Sequence, residues 1–502
     1  MLGFTVPNLD YHALAPEIIL TTVIAVVLVA DLLLDVDQKW LVANLASIGI
    51  LAAIIPLVSL ALFGDDVRTL VGGAYVVDQF SLVLKGLFLA TGYVVLLMSI
   101  RYVEEGDYYE GEFYFLILCS LLGMSIMASA RDLITIFIAL ETLSIPTYLL
   151  AGWRKRDLRS NEASLKYYLL GVLASAVMLY GMSLVYGLTG TTVLADIGAQ
   201  IGGTASNALH TAGTEPIVMF GILFIIVGFA FKVSAVPFHF WAPDTYEGSP
   251  TPVTAFLSVA SKAGGFVALF QLVFVGFYGR DDVWGPIFWV LAALSMTVGN
   301  LIALRQTNIV RMLAYSSIAQ AGYILVPFAV AGASQEAARS AITASVVYLL
   351  VYAAMNLGAF SIVMAVARKT RSGEISSYGG LFEYAPGLTI LMTLFLFSLA
   401  GIPPLAGAWA KIFVFRAVID AGTAWAIALG VVAAVNSVIA LFYYAAVAKE
   451  MWMNPVPDGD RTRIPVPTSL TAALGITAAV VVVVGVWPQV FARLGDLAAL
   501  VP

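Results

Sequence analysis

Long apolar runs, separated by short stretches where charged residues, glycine and proline gather, recur from one end of the chain to the other. Read with a window of about 19 residues, they centre on 15–34, 41–63, 79–100, 113–130, 133–152, 163–187, 217–240, 250–277, 284–304, 309–331, 337–367, 386–419, 423–448 and 468–491. A helix rises about 1.5 Å per residue, so roughly 20 apolar residues cross about 30 Å of hydrocarbon. The pattern predicts an all-α polytopic membrane protein with about fourteen transmembrane helices. The strands of a membrane barrel would alternate apolar and polar over about ten residues, whereas these runs are continuous. The first segment carries Glu17 and Asp31 and has no basic leader, so it reads as a permanent span rather than a removed signal peptide.

Composition narrows the function. With 61% hydrophobic and 11% charged residues and a mean hydropathy of +0.95, no sizeable soluble domain is left over. The single cysteine, Cys119, rules out an intrachain disulfide and a cluster held by four thiolates. A dispersed net charge of -6 gives no reason to expect nucleic acid. The basic residues outside the spans divide fourteen to five between the two sides if both termini lie outside, which is the sense of the positive-inside rule. Six remain within apolar segments: Lys85, Lys166, Lys232, Lys262, Lys411 and Arg416.

An unpaired lysine at mid-membrane costs about 2.5–3.5 kcal/mol on insertion scales, so these groups must face protein or water. Lys232 lies about 15 residues into its segment and Lys262 about 12 into the next, too deep for easy snorkelling. Lys411 follows the Gly401-Ile402-Pro403-Pro404 break, and Glu141, five residues before Pro146, is the clearest mid-membrane acid, with a lysine as its expected partner. For each, a packed structural pair stands beside a role in moving charge. Lys166 opens its segment, where snorkelling and relay are equally compatible with its position. Lys85 reads as structural, and Arg416 as half of a local pair with Asp420. Of the histidines, His12 and His210 read as surface residues, while His239, in Pro237-Phe238-His239, is either interfacial or a proton carrier.

Two segments are interrupted: GFAFKVSAVPFHFWAPDTYEGSPTP from Gly228 to Pro252, and SLAGIPPLAGAWAKIFVF from Ser398 to Phe415. Breaks at Pro and Gly free backbone groups that lipid cannot satisfy and a polar cavity can, so they mark sites, and paired breaks in two halves suit an inverted-repeat transporter. Desolvation pushes an amine toward its neutral form and a nearby carboxylate pulls it back, so buried lysines linked by waters can pass protons along. Each proton moved against 100 mV requires about 2.3 kcal/mol. The chain has no GxxxxGK[ST] loop, no dinucleotide-binding fold and no Cys/His metal cluster, so a partner or an ion gradient must supply that energy.

The stretch KVSAVPFHFWAPDTYEGSPTPVTAFLSVASK from Lys232 to Lys262 resembles the signature of the antiporter-like membrane subunits of respiratory complex I. NIVRMLAYSSIAQAGY from Asn308 to Tyr323 and SLAGIPPLAGAWAK from Ser398 to Lys411 are similar to the same family. The resemblance implies a three-helix segment 1–112, two inverted five-helix repeats at 113–277 and 284–450 with broken helices 7 and 12, and a C-terminal span in 468–502. It implies proton-relay roles for Glu141, Lys232, Lys262 and Lys411, and with less support for Lys166 and His239. Lys411 and the short end after about residue 491 resemble the N-type members. By the same resemblance no cofactor is carried in this chain. NADH, FMN, iron–sulfur clusters and quinone belong to partner subunits, and the partners are neighbouring membrane-arm subunits, the peripheral redox arm and lipids. The implied location is a bacterial plasma membrane with both termini periplasmic. Two alternatives stay open. Sodium-dependent proton uptake by the chain alone would mark an Mrp-type antiporter, and undiminished pumping without Lys232 or Lys262 would mark a structural scaffold.

Overall fold

The computed structural model describes residues 9–35, 38–64, 67–106, 110–202, 215–498 and 500. His210 lies outside the described residues. The crossings are Ala15–Leu33, Trp40–Phe63, Gln79–Glu104, Glu110–Ser129, Leu133–Ala151, Leu158–Thr189, Glu215–Lys232 with Trp241–Gly248, Thr251–Gly276, Asp281–Ala303, Ile309–Val330, Gln335–Thr370, Pro386–Ala400 with Ala406–Ala421, Ala424–Met453 and Thr468–Val486. They are called spans 1 to 14 below. Thirteen described helices are long and apolar enough to cross a membrane by themselves, and span 12 makes its crossing as two shorter helices.

The span starts are fixed by side chains that answer free backbone amides. Asp78 and Ser81 form a reciprocal capping box at span 3, Asp132 accepts from the amides of Ile134 and Thr135 at span 5, and Asn308 accepts from those of Val310 and Arg311 at span 10. One feature departs from the all-helical expectation. Arg68–Leu70 and Tyr75–Val77 pair as a short antiparallel hairpin between spans 2 and 3, turning through Gly72 and Gly73 at φ of 63° and 93°, where glycine meets no Cβ penalty. Strands of three residues lie below the resolution of a long hydropathy window.

Burial separates the spans into an interior and a rim. The most apolar windows of spans 8 and 11 are 100% buried and that of span 10 is 94% buried, against about a third for spans 2, 6 and 13. Span 8 changes twice from α to π geometry, at Leu257–Ser261 and Leu272–Gly276. The first change ends at Lys262, and such irregular turns inside helices accompany functional positions.

Both expected breaks are present. Span 7 stops at Lys232, passes through Ser234 at φ 60° and resumes at Trp241. Span 12 stops at Ala400, turns through Gly401 at φ 91° and resumes at Ala406. The two halves of span 12 are clasped together: the Gly407 amide donates to Ser398 Oγ at 3.0 Å, and a Cβ on Gly407 would fall 1.8 Å from the Ser398 carbonyl oxygen. Gly407→Ala is expected to destabilise the protein by about 1–3 kcal/mol, the usual cost of forcing extra volume into a packed interior. The measurement is a thermal unfolding midpoint in detergent, and an unchanged midpoint would refute it.

Candidate functional site

Lys232 is the last residue of the first half of span 7, where carbonyls run out of helical partners and a cation is favoured. It is 3% exposed, and its Nζ donates to Ser144 Oγ of span 5 at 2.8 Å and to the Tyr167 hydroxyl of span 6 at 3.2 Å. The break itself is satisfied by neighbours. Trp241 Nε1 donates to the Phe231 carbonyl at 3.0 Å and the Val236 amide to Ser295 Oγ at 2.9 Å. Gly265 of span 8 lets the lysine stem approach, since a Cβ there would lie 3.1 Å from Lys232 Cγ.

Lys262, 2% exposed, donates to Ser317 Oγ of span 10 at 2.7 Å. A row of rings joins it to Lys232. Lys232 Nζ sits 5.7 Å from the Tyr167 ring centre, Tyr167 stacks on Trp241 at 4.4 Å, Trp241 meets Tyr246 edge-on at 6.1 Å, and Lys262 Nζ sits 5.7 Å from the Tyr246 ring centre. Cation–π contacts of this kind hold an ammonium without a counter-charge.

Lys411, 5% exposed, donates to the Ala400 carbonyl at 2.7 Å, an acceptor that the break in span 12 has released, and lies 4.7 Å from the centre of the Tyr323 ring. Gly401 is required twice at this point. Its φ is positive, and a Cβ would stand 2.7 Å from Lys411 Cδ. Gly401→Ala is expected to cost about 1–2 kcal/mol in backbone strain and to displace the amine from Ala400. A structure of the variant with the amine still bonded to that carbonyl would contradict this.

Between Lys262 and Lys411 runs a polar face of span 10. Ser316 shares a hydrogen bond with the Tyr444 hydroxyl, and Ser317 holds Lys262. Gln320 Nε2 donates to the Leu399 carbonyl at 3.1 Å while its Oε1 accepts from Tyr348, and Tyr323 lies against Lys411. These positions were not singled out as candidates from sequence. The available signal was their spacing, with Ser316, Gln320 and Tyr323 at i, i+4 and i+7 on one helical face of an otherwise apolar run.

The acids do not fall where expected. Glu141 is half-buried and accepts from Ser175 Oγ of span 6 at 2.6 Å. Its expected pairing with a lysine is corrected: among the described residues it makes no ion pair, because Lys232 reaches Ser144, one turn further along the same helix. Lys166 joins a half-exposed network instead, bonded to Glu162 and Asp244 at 2.7 Å each, and Arg311 binds Asp244 and Glu247 at 3.0 and 2.7 Å. His239 is buried within the span 7 break, its ring against Phe240 and its Nδ1 without a hydrogen-bond partner among the described residues. Lys85 pairs with Glu17 at 2.9 Å and donates to the Tyr75 hydroxyl at 3.0 Å, as a structural group should. Arg416 faces Asp420 at 3.6 Å on an exposed surface.

Three amines are therefore buried against hydroxyls, a carbonyl and aromatic rings, with no carboxylate within 4.0 Å among the described residues. In a low dielectric an amine without a carboxylate exchanges its proton more readily than one locked in an ion pair. Among the described residues no group of three or more His, Cys, Asp or Glu is placed to hold a metal ion.

Residues 130–437 match the family described as NADH:quinone oxidoreductase/Mrp antiporter, TM. The F(420)H(2) dehydrogenase subunit N of Methanosarcina mazei is 40% identical to this chain, covering 97% of it and 98% of the relative. The NADH-quinone oxidoreductase subunit N of Trichlorobacter lovleyi is 38% identical, covering 98% and 97%. A chain of respiratory complex I from Thermus thermophilus with bound aureothin has the same fold at a TM-score of 0.76 and 30% identity, covering 96% of this chain and 99% of that one.

Proposed function

We propose, because this chain belongs to the NADH:quinone oxidoreductase/Mrp antiporter membrane family, that it moves protons through its buried amines inside a quinone-reducing complex. The chain is an antiporter-like, multi-pass membrane subunit of the complex I type. Its relatives named above are subunits of oxidoreductases. In the proposal, NADH, FMN, iron–sulfur clusters and quinone are handled by partner subunits of the membrane arm and the peripheral arm. This chain contributes only proton movement, from a bacterial plasma membrane with both its termini on the periplasmic side. Spans 4–8 and spans 9–13 are taken as the two inverted units, each contributing one broken helix.

The observation that carries this reading is the continuity of Lys232, Lys262 and Lys411, joined by the Tyr167–Trp241–Tyr246 rings and by the polar face of span 10. Lys232 and Lys262 exchange protons through water beside the first link, whose rings support the two ammonium groups and do not themselves carry the proton, and Lys262 and Lys411 exchange them along the polar face of span 10. Glu141, one turn from Ser144, acts on Lys232 through the field of its charge rather than by direct contact. Lys166 and His239 stand beside this line, the first in the network with Asp244 and the second in the break.

The test is Lys232→Met in the whole complex, reconstituted in liposomes, with electron transfer to quinone and proton translocation measured together. Electron transfer is expected to persist while protons moved per electron fall several-fold. An assembled variant that pumps fully would leave the chain a scaffold.

A further inference from the structure

A cleft of about 1330 Å³ opens on the arginine-rich face, which the proposed topology turns toward the cytoplasm. Its lining holds eight Lys and Arg residues against four carboxylates. All four carboxylates are already bound: Asp31 to Lys39, Glu105 to Arg368 at 2.7 Å, Asp157 to Arg154 at 3.8 Å and Glu247 to Arg311 at 2.7 Å. Arg156 and Arg159, where spans 5 and 6 join, and Arg371, just past the end of span 11, line the cleft without an ion pair among the described residues. Two further lining groups are unanswered. Trp153 is 6% exposed and Ser249 is 3% exposed, yet neither Trp153 Nε1 nor Ser249 Oγ has a hydrogen-bond partner among the described residues.

Orientation in the membrane needs only a count of basic residues along the inner loops. It does not need arginines from two distant stretches of chain gathered around one cavity. Arg371 also stands at the C-cap of span 11 with φ 49°, a left-handed position where glycine would carry no steric cost. An indole N–H and a guanidinium are donors only, so what completes them is an acceptor. The acceptor that suits several guanidinium forks at once is the oxygen cluster of a phosphate. Met98 of span 3, Met364 of span 11 and Leu470 of span 14 line the same cleft, which gives the occupant apolar surface to rest on as well. Basic pockets between membrane helices on the cytoplasmic side hold anionic lipid headgroups in this manner.

We propose that the cleft is a binding site for a phosphate-bearing anion, held by Arg156, Arg159 and Arg371 together with the Trp153 N–H. The apolar floor suits the headgroup of an anionic phospholipid better than free phosphate. The bound phosphate ties the junction of spans 5 and 6 to the end of span 11, and so the first half of the chain to the second. It takes no part in proton movement, so the site stands or falls independently of the relay.

The test measures equilibrium binding of ³²P-labelled probes to the whole complex, washed free of lipid in detergent. The probes are phosphatidylglycerol and phosphatidylcholine in mixed micelles, and inorganic phosphate. Phosphatidylglycerol is expected to fill one site that the triple variant Arg156→Ala, Arg159→Ala, Arg371→Ala binds at least tenfold more weakly. Electron transfer to quinone verifies that the variants are assembled. Inorganic phosphate that fills the same arginine-dependent site and displaces the lipid would identify free phosphate as the source, and its failure to do so would identify the lipid; both support the site. Equal affinity in wild type and triple variant, or phosphatidylcholine binding as tightly as phosphatidylglycerol, would overturn it. In a second arm, Trp153→Phe keeps a ring against Phe113 and removes only the N–H donor. Its affinity for the bound probe is expected to fall at least threefold, whereas an unchanged affinity would reduce the site to diffuse surface charge and overturn it.

Discussion

Lys262→Met and Lys262→Arg are both expected to leave an assembled complex that still passes electrons to quinone, with proton translocation reduced at least tenfold. The pair of substitutions separates two roles that one alone would confuse. Methionine is apolar and of similar length, so it fills the space between Ser317 and the Tyr246 ring without a proton to exchange. It also removes a desolvated amine that no carboxylate answers, so the fold should lose nothing and is expected to hold its thermal midpoint. Arginine keeps a positive charge under all physiological conditions and does not release its proton. If Lys262 served as a fixed cation, arginine would restore function. If it served by losing and regaining a proton, both variants fail together. Stopped-flow electron transfer and dye-reported acidification of vesicles measure the two quantities on one preparation. Pumping by the arginine variant near the wild-type level would defeat the relay.

Glu17→Gln is expected to cost the protein several kcal/mol of stability. Glu17 of span 1 and Lys85 of span 3 meet at 2.9 Å with side-chain exposures of 9% and 0%, and Ser125 of span 4 donates to the same carboxylate oxygen at 2.5 Å. One carboxylate thus ties three spans. Breaking a buried pair by removing one charge costs about 3–5 kcal/mol, because the survivor keeps its desolvation penalty. Replacing both by uncharged residues of similar size is often close to neutral. The double variant Glu17→Gln with Lys85→Met should therefore recover most of the lost thermal midpoint. No recovery, or no loss in the single variant, would show that the pair does not hold these spans together. Proton pumping by the surviving Glu17→Gln complex should be unaffected, which sets Lys85 apart from the other buried lysines.

The fourteen crossings were legible because hydropathy over a span-length window reports a property of each segment alone. The two breaks were legible for the same reason, since proline and a glycine at positive φ act on their own backbone. Lys232, Lys262 and Lys411 stood out through depth, which follows from counting along one helix. What sequence did not reveal were relations between helices. Glu141 and Lys232 lie on spans 5 and 7, and whether they touch depends on a difference of one helical turn, the interval from Glu141 to Ser144. Ser316, Ser317 and Gln320 are ordinary polar residues until spans 8, 12 and 13 close around them. Lys166 opens its segment, but only the folded chain brings Asp244 beside it.

The enclosure of spans 8, 10 and 11 has a consequence for how the protein answers to its surroundings. Exchange of lipid for detergent acts on the rim helices first, since the interior ones touch neither. Amide deuteration should therefore spread inward in order, with spans 2, 6 and 13 losing protection early and spans 8 and 11 among the last to yield. Lys262 on span 8, and Ser317 and Gln320 on span 10 beside it, would then sit in the slowest-opening part of the molecule, so the bilayer could vary in thickness and composition while the surroundings of that amine stay constant.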